Sequence, residues 1–314
     1  MYHDYTYKAV LASSLRAQWE LDDILAPDQD LDFSRNFMPE ALSRTVAAPG
    51  LANDDERRML NHIVAYQYLC YFGSVEEFIL PFLMDHARPS LRGDDYRARA
   101  LLNFATEEAK HIHLFNRYRE AFDRGFPFTC QMLGPREALA QRVLSHHPLA
   151  VGLIILMIEW MTQAHYLGSI RDDGEIDPLF ENLFKHHWME EAQHAKLDTL
   201  IVDALAEGRG ERELAQVSNE FFQIAGFLDK SLQVQARFNV ETLERGLGRK
   251  IAEREALIVQ QYRAARWTYL GSGLTHERFK ATLQAISPKI AARVATVTTP
   301  RRAAAEAPLS APAA

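Results

Sequence analysis

Two cysteines, Cys70 and Cys130, are all that 314 residues contain. They stand far apart and in no metal-type spacing, so a disulfide framework and a zinc-ribbon site are both excluded as organising devices. Glycine is sparse, at 15 residues, and regular β alternation is almost absent. There is no excess of positive charge. The balance is 35 basic against 42 acidic residues, a net −7, which argues against nucleic acid or an anionic membrane as the main partner. The start, MYHDYTYKAV, lacks the basic and apolar blocks of an export signal, so the expected setting is a reducing cytoplasm. The longest apolar run, residues 149–161 (LAVGLIILMIEWM), is short for a bilayer and carries Glu159, so it reads as a buried helix. No nucleotide-binding loop is present.

What is present is helical periodicity. Hydrophobic residues make up 47% of the chain, enough for a sizeable core. The pattern predicts an N-terminal extension, 1–54, with short helices near Leu11–Ile24 and Phe37–Ser43. Four long helices follow, at about Asp55–Ala87, Asp94–Arg124, Pro148–Ile170, and from Asp177-Pro178 to near Gly208. Further helices are expected over 211–235, 237–268 and 276–294, packed around the four. The helical domain as a whole is expected over 55–295. The Ala/Pro-rich stretch from 296 to 314 reads as a disordered tail.

Two of the long helices carry the same motif. Residues 107–111 read EEAKH and residues 190–194 read EEAQH, giving Glu-x-x-His as Glu108 with His111 and Glu191 with His194. One such match arises about once by chance in a chain of this kind. The pattern upstream makes the pair informative. Glu159, in ILMIEWM, lies 32 residues before Glu191, and Glu76, in YFGSVEEFIL, lies 32 residues before Glu108. The chain repeats an apolar helix with a central Glu followed by a helix with Glu-x-x-His. Four such helices can aim four carboxylates and two imidazoles into one bundle core, the ligand set of di-metal carboxylate proteins. Carboxylates bridge and neutralise hard cations and imidazoles add nitrogen donors. Buried this way without metal or protons, the carboxylates would be prohibitive.

Several neighbours need a choice. On a helical wheel Glu76 shares the apolar face with Leu69, Phe72, Ile79 and Leu83, while Glu77 lies about 100° away. Glu76 is therefore the expected ligand, and Glu77 an outer partner or the alternate. Glu107 and Glu190, which precede the motif glutamates, can accept the free ring N–H of the histidine on the other helix, or can be solvated charges. Pro81 cannot donate to the carbonyl of Glu77, so the helix should open there, either to widen a cavity or as plain packing. His187 stands at i−4 and i−7 from Glu191 and His194, on one stripe, where it can approach the ion they hold; a structural histidine is the other reading.

These residues resemble the ferritin-like di-iron carboxylate proteins over about 55–208. The spacing His187-x-x-x-Glu191-x-x-His194, with VEEFI around Glu76 and IDPLFENLFKHHWMEEAQH up to His194, is similar to the p-aminobenzoate N-oxygenase family of arylamine oxygenases. The resemblance implies an all-α, ferritin-like four-helix bundle with additional N- and C-terminal helices. It implies two iron ions (iron–iron, or manganese–iron), O2 as co-substrate, and metal ligands Glu76, Glu108, His111, Glu159, Glu191 and His194, with His187 as a third imidazole. The implied reaction is N-oxygenation of a small amine. A C–H hydroxylase or desaturase, and a ferritin-like iron-binding protein without organic substrate, remain the alternatives. Phe115 occupies the place where the radical-forming reductase subunits of this superfamily carry tyrosine. With no flavin or iron–sulfur motif, electrons must come from a separate donor. A homodimer is compatible with the pattern.

Overall fold

The computed structural model describes residues 2–306. Among them there is no β-strand, only an isolated bridge between Asn36 and Ile176. Four long helices form the centre: α4 (Asp54–Ala87), α5 (Asp95–Gly125), α7 (Pro148–His165) and α8 (Pro178–Ala206). Their starts follow from local chemistry. Asn53 and Asp94 accept from backbone N–H groups three residues on, and Asp177 accepts from both Leu179 and Phe180 with Pro178 in the first turn. α4 packs along α5 and α7 along α8, and α5 lies against α8, so the two Glu-x-x-His helices are neighbours. Pro81 sits inside α4, which stays helical to Ala87.

α7 is buried on nearly every side. Together with the π turn that continues it, Tyr166–Ile170, it forms a 23-residue segment, Pro148–Ile170, long and apolar enough to cross a membrane by composition. It is longer than the run picked out in the sequence, yet 94% of its most apolar window is covered by protein.

The N-terminal residues wrap this bundle. The expected helix over Leu11–Ile24 is two pieces, α1 (Tyr7–Ser14) and α2 (Leu21–Ile24), with a non-helical stretch between them that presents Trp19 to α5 and α8. α3 begins only at Glu40, after Pro39, because a residue before proline is pushed out of the helical region. Asn61 of α4 pins this segment: its Oδ1 accepts from Phe37 and Met38 N–H, and its Nδ2 donates to Met38 O.

The C-terminal boundaries depart most from expectation. α9 is one helix, Glu211–Leu247, ended by Gly248 at φ 64°. Only glycine takes that left-handed conformation freely. α10 (Arg254–Arg266) then runs into a π turn, Trp267–Gly271, and a short α11 (Ser272–Thr275). α11 lies directly on α7: a Cβ added at Gly273 would stand 2.4 Å from the Met157 carbonyl. The stretch 276–294 is broken at Ser287, extended before Pro288, into α12 (Glu277–Ile286) and α13 (Pro288–Glu306). The Ala/Pro-rich stretch thus starts inside a helix that runs to Glu306; residues 307–314 lie outside the described residues. α6 (Arg136–Leu144), a further helix, lies between α5 and α7 in the chain.

Candidate metal centre

Each central helix contributes inward-facing polar groups at mid-length. Glu76 comes from α4, Glu108 and His111 from α5, Glu159 from α7, and His187, Glu191 and His194 from α8. All seven are at most 2% exposed. Two overlapping clusters bring six of them together: Glu76, His111, His187 and Glu191, and Glu108, His111, Glu191 and His194. Within each, one ligand atom per residue lies within 4.8 Å of every other. Glu191 is central. Its Oε1 lies 2.7 Å from His187 Nε2 and 3.1 Å from His111 Nδ1, and its Oε2 lies 3.3 Å from His194 Nδ1. Glu159 faces Glu191, whose charge and hydrogen bond it feels.

These groups fit metal ions. Glu76 Oε2, both oxygens of Glu108, Glu159 Oε2, Glu191 Oε1 and His111 Nδ1 are buried without a hydrogen bond. His111 Nδ1 and Glu191 Oε1 approach to 3.1 Å, and His194 Nδ1 and Glu108 Oε1 to 3.0 Å, yet neither pair makes a hydrogen bond. Buried polar atoms left like this cost free energy unless something fills the space they share. Mixed carboxylate and imidazole donors suit iron or manganese better than magnesium or calcium.

The structure groups His187 with Glu76 and His111 rather than with His194. The reason lies in helix geometry. Residues i and i+7 share a stripe but stand about 10 Å apart along the axis, so the two rings cannot lean on one ion. Glu191, midway between them, faces both positions.

The outer partners are crosswise. Glu190 Oε2 accepts from His111 Nε2–H at 2.9 Å, and Glu107 Oε2 from His194 Nε2–H at 2.9 Å. With the N–H on Nε2, each ring turns its Nδ1 lone pair inward. Glu77 stands apart from this arrangement: its side chain is 33% exposed and pairs with Arg136 of α6 at 3.0 Å. The aromatic surroundings also sort themselves. Phe104 stacks on His194 with centroids 3.9 Å apart, and Phe72 and Phe115 present their rings to His187. Trp160 faces away from the centre and stacks on His276.

One residue in this region was missed. Asp198, one turn after His194 on the same stripe, is fully buried and neither carboxylate oxygen has a hydrogen bond. Burial pushes its carboxyl well above the usual range, with the charges of Glu108 and Glu191 adding to the rise and His194 opposing it. Its spacing from Glu191, i+7, was the available signal.

Without cations the cluster holds protons. Burial, then the charge of Glu108, pushes Glu76 well above the usual carboxylate range, and burial, then Glu191, does the same for Glu159. Burial opposes protonation of His111 and His194, but their carboxylate partners outweigh it and raise both well above an ordinary imidazole. Metal must displace these protons. Metal uptake should therefore release protons and weaken as pH falls through the neutral range. Calorimetric titration of the metal-free protein in two buffers of different ionisation enthalpy checks this; heats that are the same in both, after correction for dilution, contradict it.

Beside the centre lies an apolar cavity of about 470 Å³. It opens among α4, α6, α7, α9 and the π turn Trp267–Gly271. Tyr71, Phe72, Ile158, Met161, Leu232 and Tyr269 form much of its wall. Phe72 is shared between the two, since its ring also meets His187 at a centroid distance of 5.4 Å. The wall residues on α4 all precede Glu76, so the cavity does not lie beside Pro81. Arg136 and Arg142 supply positive charge at its edge.

No curated protein gives a significant match to the chain. Solved structures of similar shape include two variants of an R2-like ligand-binding oxidase. One carries an aerobically reconstituted Mn/Fe cofactor, with 14% identity, coverage of 84% of this chain and 94% of that chain, and a TM-score of 0.45. The other carries an aerobically reconstituted Fe/Fe cofactor, with 14% identity, 84% and 93% coverage, and a TM-score of 0.45. The family described as P-aminobenzoate N-oxygenase AurF matches residues 15–269, which span all four central helices, every clustered residue and all of the cavity wall but Leu270. The chain therefore belongs to the AurF p-aminobenzoate N-oxygenase family and is an oxygenase that acts on an organic substrate.

Proposed function

We propose that the protein is a cytoplasmic di-iron N-oxygenase that converts a small aromatic amine to its N-hydroxylated product. The observation that carries this reading is the pair of buried His/carboxylate clusters sharing His111 and Glu191. Glu76, Glu108, His111, Glu159, His187, Glu191 and His194 would hold the two ions. When bound, the pair supplies O2 activation, chemistry no amino-acid side chain provides. The chain's own contribution is placement and exclusion of water. Glu107 and Glu190 fix the tautomers of His194 and His111. The aromatic wall holds a flat apolar substrate, and Phe72 sets how closely it approaches His187. One oxygen atom of O2 enters the N–H bond, and the other leaves as water with two electrons and two protons from an external donor. A ferroxidase would need no apolar cavity beside its metals, which favours an organic substrate. Both cysteines are free and buried, in keeping with a reducing compartment.

The test is turnover of iron-loaded protein with a chemical reductant, isotopically labelled O2 and a panel of arylamines. Hydroxylamine or nitro products carrying the label are expected. Iron-replete protein that leaves every amine untouched but hydroxylates or desaturates C–H bonds in a matched panel of amine-free aromatic compounds would replace N-oxygenation with the hydroxylase or desaturase reading. Iron oxidation with neither product would leave an iron-binding protein.

A further inference from the structure

The two carboxylates behind the metal-facing histidines are held by chemically different clamps, and the N-terminal segment supplies part of each. Behind His194, Glu107 Oε1 accepts from Ser14 Oγ at 2.5 Å and from Asn103 Nδ2 at 3.0 Å; both donors are neutral. Asn103 also donates to Ser14 Oγ at 2.9 Å, closing a small network. Behind His111, Glu190 Oε1 accepts from Lys110 Nζ at 2.5 Å, a cation. Lys110 is itself gripped by Trp19. Its ammonium lies 3.8 Å from the centre of the indole ring and donates to the Trp19 carbonyl at 3.1 Å. The indole lies parallel to the His111 ring, at 11° and 5.9 Å between centroids, and its Nε1–H donates to the His186 carbonyl at 3.0 Å. Both carboxylates are buried, so neither clamp is averaged out by solvent.

From this asymmetry we propose that Lys110, seated by Trp19, is a positioning residue that makes the two metal positions electrostatically unequal, weakening the one served by His111. The argument is one of charge. A carboxylate that accepts a ring N–H makes the opposite ring nitrogen a stronger donor. An ammonium ion on the same carboxylate draws off part of that charge. Glu107, held only by neutral donors, keeps its full effect on His194, whereas Glu190 shares its effect between His111 and Lys110. The ammonium also adds its own repulsion to a nearby divalent ion. The chain segment before the four-helix bundle thus tunes the centre: Ser14 orients one carboxylate, and Trp19 places the cation on the other.

The inference rests on the seven-residue centre binding two metals, and its test separates the two claims. Metal-free protein is titrated with Co(II) under anaerobic conditions by calorimetry. The binding step of the His111 position is assigned as the one that Glu190→Gln weakens, and that of His194 as the one that Glu107→Gln weakens. Lys110→Met should tighten the His111 step about tenfold, within the range that outer partners exert on metal affinity, and leave the His194 step unchanged. Lys110→Arg should restore wild-type values. Trp19→Leu, which loosens the ammonium, should shift the His111 step in the same direction as Lys110→Met but less. A merely structural Lys110 would give the opposite sign, with weaker binding and a lower melting temperature. If Lys110→Met does not fold, Lys110→Gln is the neutral substitute. Two metals bound with both steps unmoved, or moved equally, overturns the inequality and leaves the metal centre standing. Absence of Co(II) binding by wild-type protein overturns the centre itself.

Discussion

Glu191→Ala should empty both metal positions at once. No other carboxylate belongs to both clusters, and both of its oxygens face imidazole nitrogens, Oε1 those of His187 and His111 and Oε2 that of His194. Removing it takes away the one carboxylate that the two clusters share and would leave each remaining set short of negative charge. Elemental analysis after iron loading should fall from about two metals per chain, the number a paired site holds, to a trace, and oxygenase turnover should fall with it. Stability gives an independent readout. A ligand that binds only the folded state adds about 2.7 kcal/mol when present at a hundred times its dissociation constant. Wild-type protein should therefore melt at a higher temperature with Mn(II) or anaerobic Fe(II) than without, and Glu191→Ala should show no such rise. Glu77→Ala is the matched control. That carboxylate is part-exposed and engaged with Arg136, so its loss should leave both metals bound. A Glu191→Ala protein that keeps two metals, or a Glu77→Ala protein that loses one, would overturn the arrangement described here.

The centre was legible in the sequence to the extent that helix geometry repeats. Glu76 and Glu159 stand the same distance before the two Glu-x-x-His motifs, and a helical wheel separates Glu76 from Glu77 by direction alone. The structure puts Glu76 inside, at 2% exposed, and turns Glu77 toward α6. What stayed hidden depends on contacts between distant segments. Nothing local marks Ser14 or Trp19 as partners of Glu107 and Glu190, because the segment that carries them is brought to α5 and α8 only by the finished fold. Lys110 sits inside the EEAKH motif, but its partner across the helix interface has no signature in spacing. Adjacency in sequence misleads at Trp160. It adjoins Glu159 in sequence, and one step of 100° along α7 turns it to His276 instead. Helix starts were legible to within a residue, near Asp55, near Asp94 and at the Asp177-Pro178 cap, whereas the course of α9 was illegible. No glycine or proline occurs between Lys230 and Gly246 to mark a break, and the helix runs on to the left-handed Gly248.

His187 carries the second large expectation, and here structure and spacing differ in detail. The shared stripe with Glu191 and His194 led to one ion for all three, whereas His187 lies with Glu76 and His111, its Nε2 3.3 Å from Glu76 Oε1. In the proposed centre the position served by His111 would thereby gain a second nitrogen donor, one that adds no negative charge. His187→Leu puts an apolar side chain of roughly similar bulk against Phe72 and Phe115 and removes both ring nitrogens. The ion nearest Glu76 and His111 should then be lost, because its remaining donors no longer surround it. The ion among Glu108, Glu191 and His194 should stay, since none of its donors is touched. Elemental analysis should read about one metal per chain, half of what a paired site holds, and anomalous scattering from a Mn(II)-loaded crystal should place that ion beside His194. Turnover should fall by about a hundredfold or more, because chemistry that would need a pair of ions would be left with one. Two ions retained with full activity would make His187 a packing histidine between two phenylalanines. Loss of both ions would mean instead that the His111 position must fill before the other can, contrary to the order that the Lys110 clamp implies.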